Sequence, residues 1–297
     1  MSAMSAFARL TTIAAAAGLA VLVGCGTTPA SQPGSAGPTA QASSTPRAPA
    51  TPSPAPTTRP VPAPPACLQP GSYLTAIQVG EHGGYDRVVF RFSGGLPTYG
   101  AAYARTVYED PKGTVVPLPG QAYLRVVFRG ASATCGQPLS RTYTGPAVLT
   151  PYYPELLAVS AAGDFEEYLS FGIGLAARGT YHMYTLTGPD RVVIDFSHAR
   201  LGTFPGIWDI PSWPQYWSQQ YSWLNGHQPW LSNPQMVVQA WARSLWPATT
   251  PVIAQVDVGT FKVTEPSGRV DTVSGTRPVT TPGPWVITTI VPASLPV

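Results

Sequence analysis

The chain has 297 residues with only 17 basic and 14 acidic side chains, so charged residues are 10% of it, against about 25% in an average soluble domain. Its 35 prolines argue against a coiled coil or a helical cytosolic enzyme. Binding to nucleic acid rests on clustered Lys and Arg; here Arg9, Arg47 and Arg59 supply the whole excess of +3, and everything beyond residue 66 sums to zero.

In chain order, Arg9 precedes an apolar run from Leu10 to Val23. As a helix that run spans about 21 Å, short of the ~30 Å hydrocarbon core, so it reads as the apolar part of an export signal rather than a membrane span. It ends in Leu22-Val23-Gly24-Cys25, which resembles the lipobox of bacterial lipoproteins. By that resemblance residues 1–24 are a signal peptide, and Cys25 becomes the acylated first mature residue, anchored at the outer face of the cell membrane. Two acyl chains hold a protein at a bilayer where one would be marginal. Residues 26–66 contain 12 prolines and no aromatic residue; such a composition cannot offset the backbone entropy of ordering, so 25–66 is expected to be a tether. With Cys25 taken by lipid, Cys67 and Cys135 remain, and an even pair in an exported chain is expected to form a disulfide.

From Ser72 onward, short runs with apolar residues at period two alternate with Gly, Pro and Asp. Strands are expected over Ser72–Val79, Asp86–Ser93, Tyr123–Arg129, Glu166–Leu175, Tyr181–Thr187 and Arg191–Phe196. Turns fall at Gly83-Gly84, Gly94-Gly95, Pro119-Gly120 and Gly188-Pro189. This spacing predicts a mainly β, antiparallel sandwich over 67–200. One string occurs three times, as Asp86-Arg87-Val88-Val89-Phe90, Leu124-Arg125-Val126-Val127-Phe128 and Asp190-Arg191-Val192-Val193-Ile194. A recurring strand register accounts for it, with Arg and the second Val on one face and the first Val on the other.

Residues 201–297 differ in character: seven of the eight tryptophans lie between Trp208 and Trp246. Ser212 and Pro214 permit a helix over Pro211–Asn225. Asn233 followed by Pro234 is a helix start, and Met236, Val237, Ala240, Trp241, Ser244 and Leu245 then share a face until Pro247. Val252–Val263 and Pro284–Val291 read as strands. A small α+β unit of one helix on about three strands is expected.

Signatures of enzymes fail. His82, His182, His198 and His227 are scattered singly, with no zinc-ligand spacing, and no G-x-S-x-G elbow occurs. Gly172-Ile173-Gly174-Leu175-Ala176-Ala177 fits G-x-G-x-x-A but sits inside a strand with no helix to follow. Glu166 and Glu167, adjacent on a strand, face opposite sides and cannot act as an acid/base pair. Neither a cofactor nor a metal is expected. The remaining candidate surface is aromatic: Trp213, Trp217 and Tyr221 share a helical face, and with Trp208 and Trp223 they are candidate glycan-stacking rings. Alternatively these rings are architectural, covering the junction between the two folded parts.

Gly84-Tyr85-Asp86-Arg87-Val88-Val89-Phe90, Asp164-Phe165-Glu166, Phe171-Gly172-Ile173-Gly174-Leu175 and Leu186–Phe196 together resemble the AMIN-like domain of secreted actinobacterial lipoproteins, over about residues 70–200. The related AMIN module precedes peptidoglycan amidases and is a β-sandwich associated with the cell wall, so the resemblance implies envelope localisation without chemistry of its own. It implies no catalytic or ligand residues here. The resulting expectation is a non-catalytic lipoprotein that binds peptidoglycan or a wall polysaccharide. The alternative is a scaffold or regulator that recruits a wall enzyme through edge strands or the aromatic surface.

Overall fold

The structure, a computed structural model, describes Cys67 and residues 70–293. Cys25, expected to be lipidated, and the expected tether lie outside the described residues. The described residues fall within one compact unit. Its strands are β1 (Ser72–His82), β2 (Tyr85–Ser93), β3 (Thr98–Ala104), β4 (Ala122–Arg129), β5 (Ala131–Ser132), β6 (Thr134–Cys135), β7 (Ser140–Arg141), β8 (Val148–Leu149), β9 (Leu156–Phe165), β10 (Tyr168–Leu175), β11 (Tyr181–Leu186) and β12 (Arg191–Ser197). Two helices follow, α1 (Trp213–Leu224) and α2 (Pro234–Leu245), then β13 (Val252–Asp257), β14 (Thr260–Thr264), β15 (Val270–Thr276) and β16 (Val286–Val291).

The first twelve strands make the expected mainly β sandwich. One sheet runs β11-β12-β2-β1-β5, the other β3-β4-β10-β9-β8, and a small ribbon pairs β6 with β7. All ladders are antiparallel except the short β1–β5 pair. Period two decides which face is buried: Val88, Phe90 and Phe92 of β2 point inward, as do Leu124, Val126 and Phe128 of β4 and Val192, Ile194 and Phe196 of β12. Phe90 bridges the sheets, with its ring 4.9 Å from Phe128 and 5.0 Å from Phe171. Each such side chain contributes roughly 1.5–3 kcal/mol on burial. The three copies of the Arg-Val-Val string therefore occupy equivalent positions, with Arg87, Arg125 and Arg191 on the outer faces.

Several expected bounds are corrected. β10 begins at Tyr168, not Glu166. Glu166 (φ 49°) and Glu167 (φ 61°) form a two-residue hairpin turn between the paired Phe165 and Tyr168, since a tight turn of matching twist requires left-handed backbone at both central positions. β9, not foreseen, has a continuous buried run from Leu156 to Ser160. β3 and β8 were not foreseen either. The G-x-G of β10 is a packing device: a Cβ on Gly174 would lie 2.3 Å from the Pro119 carbonyl oxygen, and one on Gly172 2.8 Å from Leu118. The loop before β4 lies directly across these two glycines.

The C-terminal part holds two helices and four strands rather than one helix and three. Val252–Val263 is two strands, β13 and β14, turned at Val258-Gly259. α2 buries Val237, Val238, Trp241 and Ala242 against Phe261, Val263, Val273 and Ile287 of the sheet. Met236 and Leu245, expected on the buried face, are exposed. A third cluster joins both parts of the unit: Leu157 and Ala176 of the sandwich pack with Ile210, Tyr216, Trp217, Val279 and Val286.

Candidate functional site

Two constellations of polar side chains stand out on the sandwich, one internal and one on a sheet face. Internally, fully buried Asp86 accepts the backbone N–H groups of Glu155 (2.7 Å) and Leu156 (2.8 Å), and its other oxygen lies 2.9 Å from His198 Nε2. Buried Glu155 accepts the N–H groups of Ala199 (3.0 Å) and Ala177 (3.2 Å). Burial pushes the Glu155 carboxyl up, the two N–H donors oppose this, and the Asp86 carboxylate adds to the rise. In the sequence His198 stands as a lone histidine because its partner is 112 positions away. Among the described residues no hydroxyl or thiol hydrogen-bonds to the His198 ring of this pair. The pair clamps the chain after β12 onto the segment before β9.

The outer face of β2, β12 and β11 carries the second constellation. Arg87 binds Asp195 through two parallel bonds, Nε to Oδ1 at 2.6 Å and one terminal nitrogen to Oδ2 at 2.8 Å, the geometry in which a guanidinium recognises a carboxylate most strongly. That bond holds the Asp195 carboxyl below its ordinary range and raises the Arg87 pKa. The Arg87 Cζ lies 5.2 Å from the centre of the Tyr85 ring and 5.9 Å from that of Tyr184, within cation–π reach. His82 stacks on Tyr85 at 4.6 Å and His182 on Tyr184 at 5.1 Å. Four residues along β2, Arg91 stands directly opposite Arg191 of β12. Neither forms an ion pair among the described residues; Arg191 Nε donates to the Pro189 carbonyl at 3.1 Å. Like charges facing each other across a ladder are unfavourable, so this face presents two uncompensated guanidinium groups beside a row of rings. On the opposite sheet, Arg125 pairs with Asp110, and Arg129 lies 6.0 Å from the centre of the Tyr168 ring.

A family model for the AMIN-like domain matches residues 72–198. This stretch is an AMIN-like domain. Comparison of the chain with curated proteins and with solved structures gives no match. AMIN-like domains are as a class non-catalytic, extracytoplasmic modules associated with peptidoglycan. The AMIN-like domain here carries both constellations described above.

The expected disulfide is present: Cys67 and Cys135 are bonded, with Cα atoms 5.6 Å apart. The five candidate stacking rings do not form a row. Trp217 is 2% exposed, which removes it as an open sugar platform. Trp208 and Trp223 pack against the cluster around α2. Trp213 is half-buried, stacked on Trp217 at 5.3 Å, and its Nε1 donates to the Gly202 carbonyl at 2.7 Å. Tyr221 is half-buried on α1, and its carbonyl accepts from Asn225 at 2.8 Å. Architecture explains most of these rings, because a charge-poor unit draws its core from large apolar side chains. Among the described residues no group of three or more His, Cys, Asp or Glu is placed to hold a metal ion, and no helix is long and apolar enough to cross a membrane.

Proposed function

We propose that this protein is a non-catalytic cell-envelope lipoprotein, anchored through acylated Cys25, whose AMIN-like domain binds peptidoglycan or an attached wall polysaccharide through the outer face of β2, β12 and β11. The observation that carries the reading is the unpaired Arg91–Arg191 couple beside the ring-flanked Arg87–Asp195 pair. Tyrosine rings meet the C–H faces of sugars, and free guanidinium groups meet carboxylates such as those of wall stem peptides. The chain beyond residue 66 is electrically neutral as a whole, so the contact is local rather than a diffuse attraction. In co-sedimentation with purified sacculi, the full chain should pellet at low salt and release progressively as salt rises. Arg91→Ala combined with Arg191→Ala should reduce pelleting at least fivefold. Absence of wild-type pelleting at low salt would refute the proposal.

A scaffold role has one feature in its favour: β13 is a free edge whose Val252 and Val256, with adjacent Val258, are 67%, 58% and 73% exposed, and unprotected edges invite strand addition. Retained pelleting by the double arginine variant, together with a crosslinked protein partner lost on mutating β13, would select that role instead.

A further inference from the structure

Where the chain leaves β12 and enters α1, a cleft of about 560 Å³ opens between the AMIN-like domain and the C-terminal part. This lies within the ~300–1,000 Å³ range of small-ligand sites. Its walls include the half-buried rings of Tyr152, Tyr153 and Trp213, with buried Trp217 behind them, and it also carries Glu81 and Arg200. We infer that this cleft is a second carbohydrate site, taking a neutral N-acylated pyranose unit between its aromatic walls, with Glu81 and Arg200 meeting the hydroxyl and amide groups. The inference takes its ligand class from the wall-polysaccharide reading, but rests on residues that the outer sheet face does not use.

Three observations carry it. Tyr152 has φ 51°, a left-handed conformation that is unfavourable for a bulky residue and persists only where the surroundings enforce it. Here the turn is held by the N–H of Tyr153 donating to Leu156 at 2.9 Å and that of Tyr152 to Leu157 at 3.4 Å. Next, the floor is fixed in advance: the segment leading into Ala199 and Arg200 is fastened by the Asp86–His198 contact and by the Glu155 carboxylate on the Ala199 N–H. Pre-formed walls reduce the ordering entropy that binding must overcome. Lastly, Glu81 and Arg200 are exposed, line the same cleft, and form no hydrogen bond or ion pair with each other or with any described residue. One acceptor and one donor of opposite charge, beside three half-buried rings, suit an uncharged polar ligand better than a polyanion.

The test is calorimetric titration of the full chain with the β-1,4-linked trisaccharide of N-acetylglucosamine. Glu81→Gln and Arg200→Ala alter exposed side chains and should leave the melting temperature unchanged while raising Kd at least tenfold. Arg91→Ala with Arg191→Ala should leave this Kd unchanged. Failure of the wild type to bind at millimolar sugar, or an unaltered Kd in both cleft variants, overturns the inference. So does occupation of the cleft by a synthetic peptide spanning the Pro-rich residues 51–66 with no sugar binding. If sacculus pelleting still depends on Arg91 and Arg191 in any of those cases, the reading of the sheet face survives and only the cleft is lost.

Discussion

Asp195 illustrates how a single paired side chain makes stability depend on pH. Arg87 holds its carboxyl below the usual range, so the folded state binds its proton more weakly than the unfolded chain does. The stabilisation is therefore complete above the ordinary aspartate pKa of about 4 and disappears as pH falls through and below it. Glu155 acts in the opposite sense: its raised carboxyl favours the folded state at low pH, and the benefit is lost as pH rises through its folded pKa. Urea midpoints between pH 3 and pH 7 should drop less steeply toward acid in Asp195→Asn than in the wild type. Identical acid slopes would show that the Arg87 contact contributes nothing. Side-chain partnerships of this kind were illegible in the sequence: Arg87 and Asp195 are 108 positions apart, and Asp86 and His198 are 112 apart. Their alternation was readable, but which strands lie adjacent was not.

At the level of the element, legibility followed periodicity. β2 and β4 alternate cleanly, and β12 keeps Val192, Ile194 and Phe196 inward although Val193 is buried too; the bounds of all three are legible in the sequence within a residue or two. β9 was missed because Leu156-Leu157-Ala158-Val159 is apolar at every position, being covered on both faces, and a continuous run carries no period. α2 shows a different failure. Apolar residues flank its buried stripe on both sides, so the pattern fixed the helix but not its rotation. Packing selects Val238 and small Ala242, which let the helix approach the sheet, and leaves Met236 outside. The start of α2 was legible from chemistry alone. Asn233 Oδ1 accepts the N–H groups of Gln235 (3.0 Å) and Met236 (3.4 Å), ahead of Pro234 in the first turn. Asn233→Ala should cost about 1 kcal/mol in chemical denaturation, with Asn233→Asp close to neutral; equal losses in both would remove capping as the cause.

Across the whole molecule, the expected boundary near residue 200 crosses a shared interior. Buried Gln220 on α1 accepts the Gly120 N–H at 2.8 Å and donates to the Pro282 carbonyl at 2.9 Å, while Thr281 Oγ1 donates to the Gly120 carbonyl at 2.9 Å. One amide thus joins the AMIN-like domain to α1 and to the loop before β16. Gln220→Ala leaves the Gly120 N–H without its acceptor, at a cost of about 1–3 kcal/mol. Because the core around Tyr216 and Trp217 belongs to both parts, near-ultraviolet and far-ultraviolet dichroism should still report one coincident transition, shifted down together. Two separated transitions in the wild type would show that the parts fold independently. The sequence offers the aromatic rings as a cover for this junction, and Trp217 takes that place; the polar links are not legible, since Gly120, Gln220 and Pro282 lie far apart along the chain.

The bond between Cys67 and Cys135 also determines how the folded unit answers a mechanical load. Tension arriving along the polypeptide from upstream is shared at Cys67 between the peptide leading to β1 and a covalent strut into β6. Peeling β1 away from β2, the easiest way to unzip a sandwich from its leading strand, is opposed by that strut. A body moored on one side and gripped by a polymer mesh on the other would thus be pulled as a block.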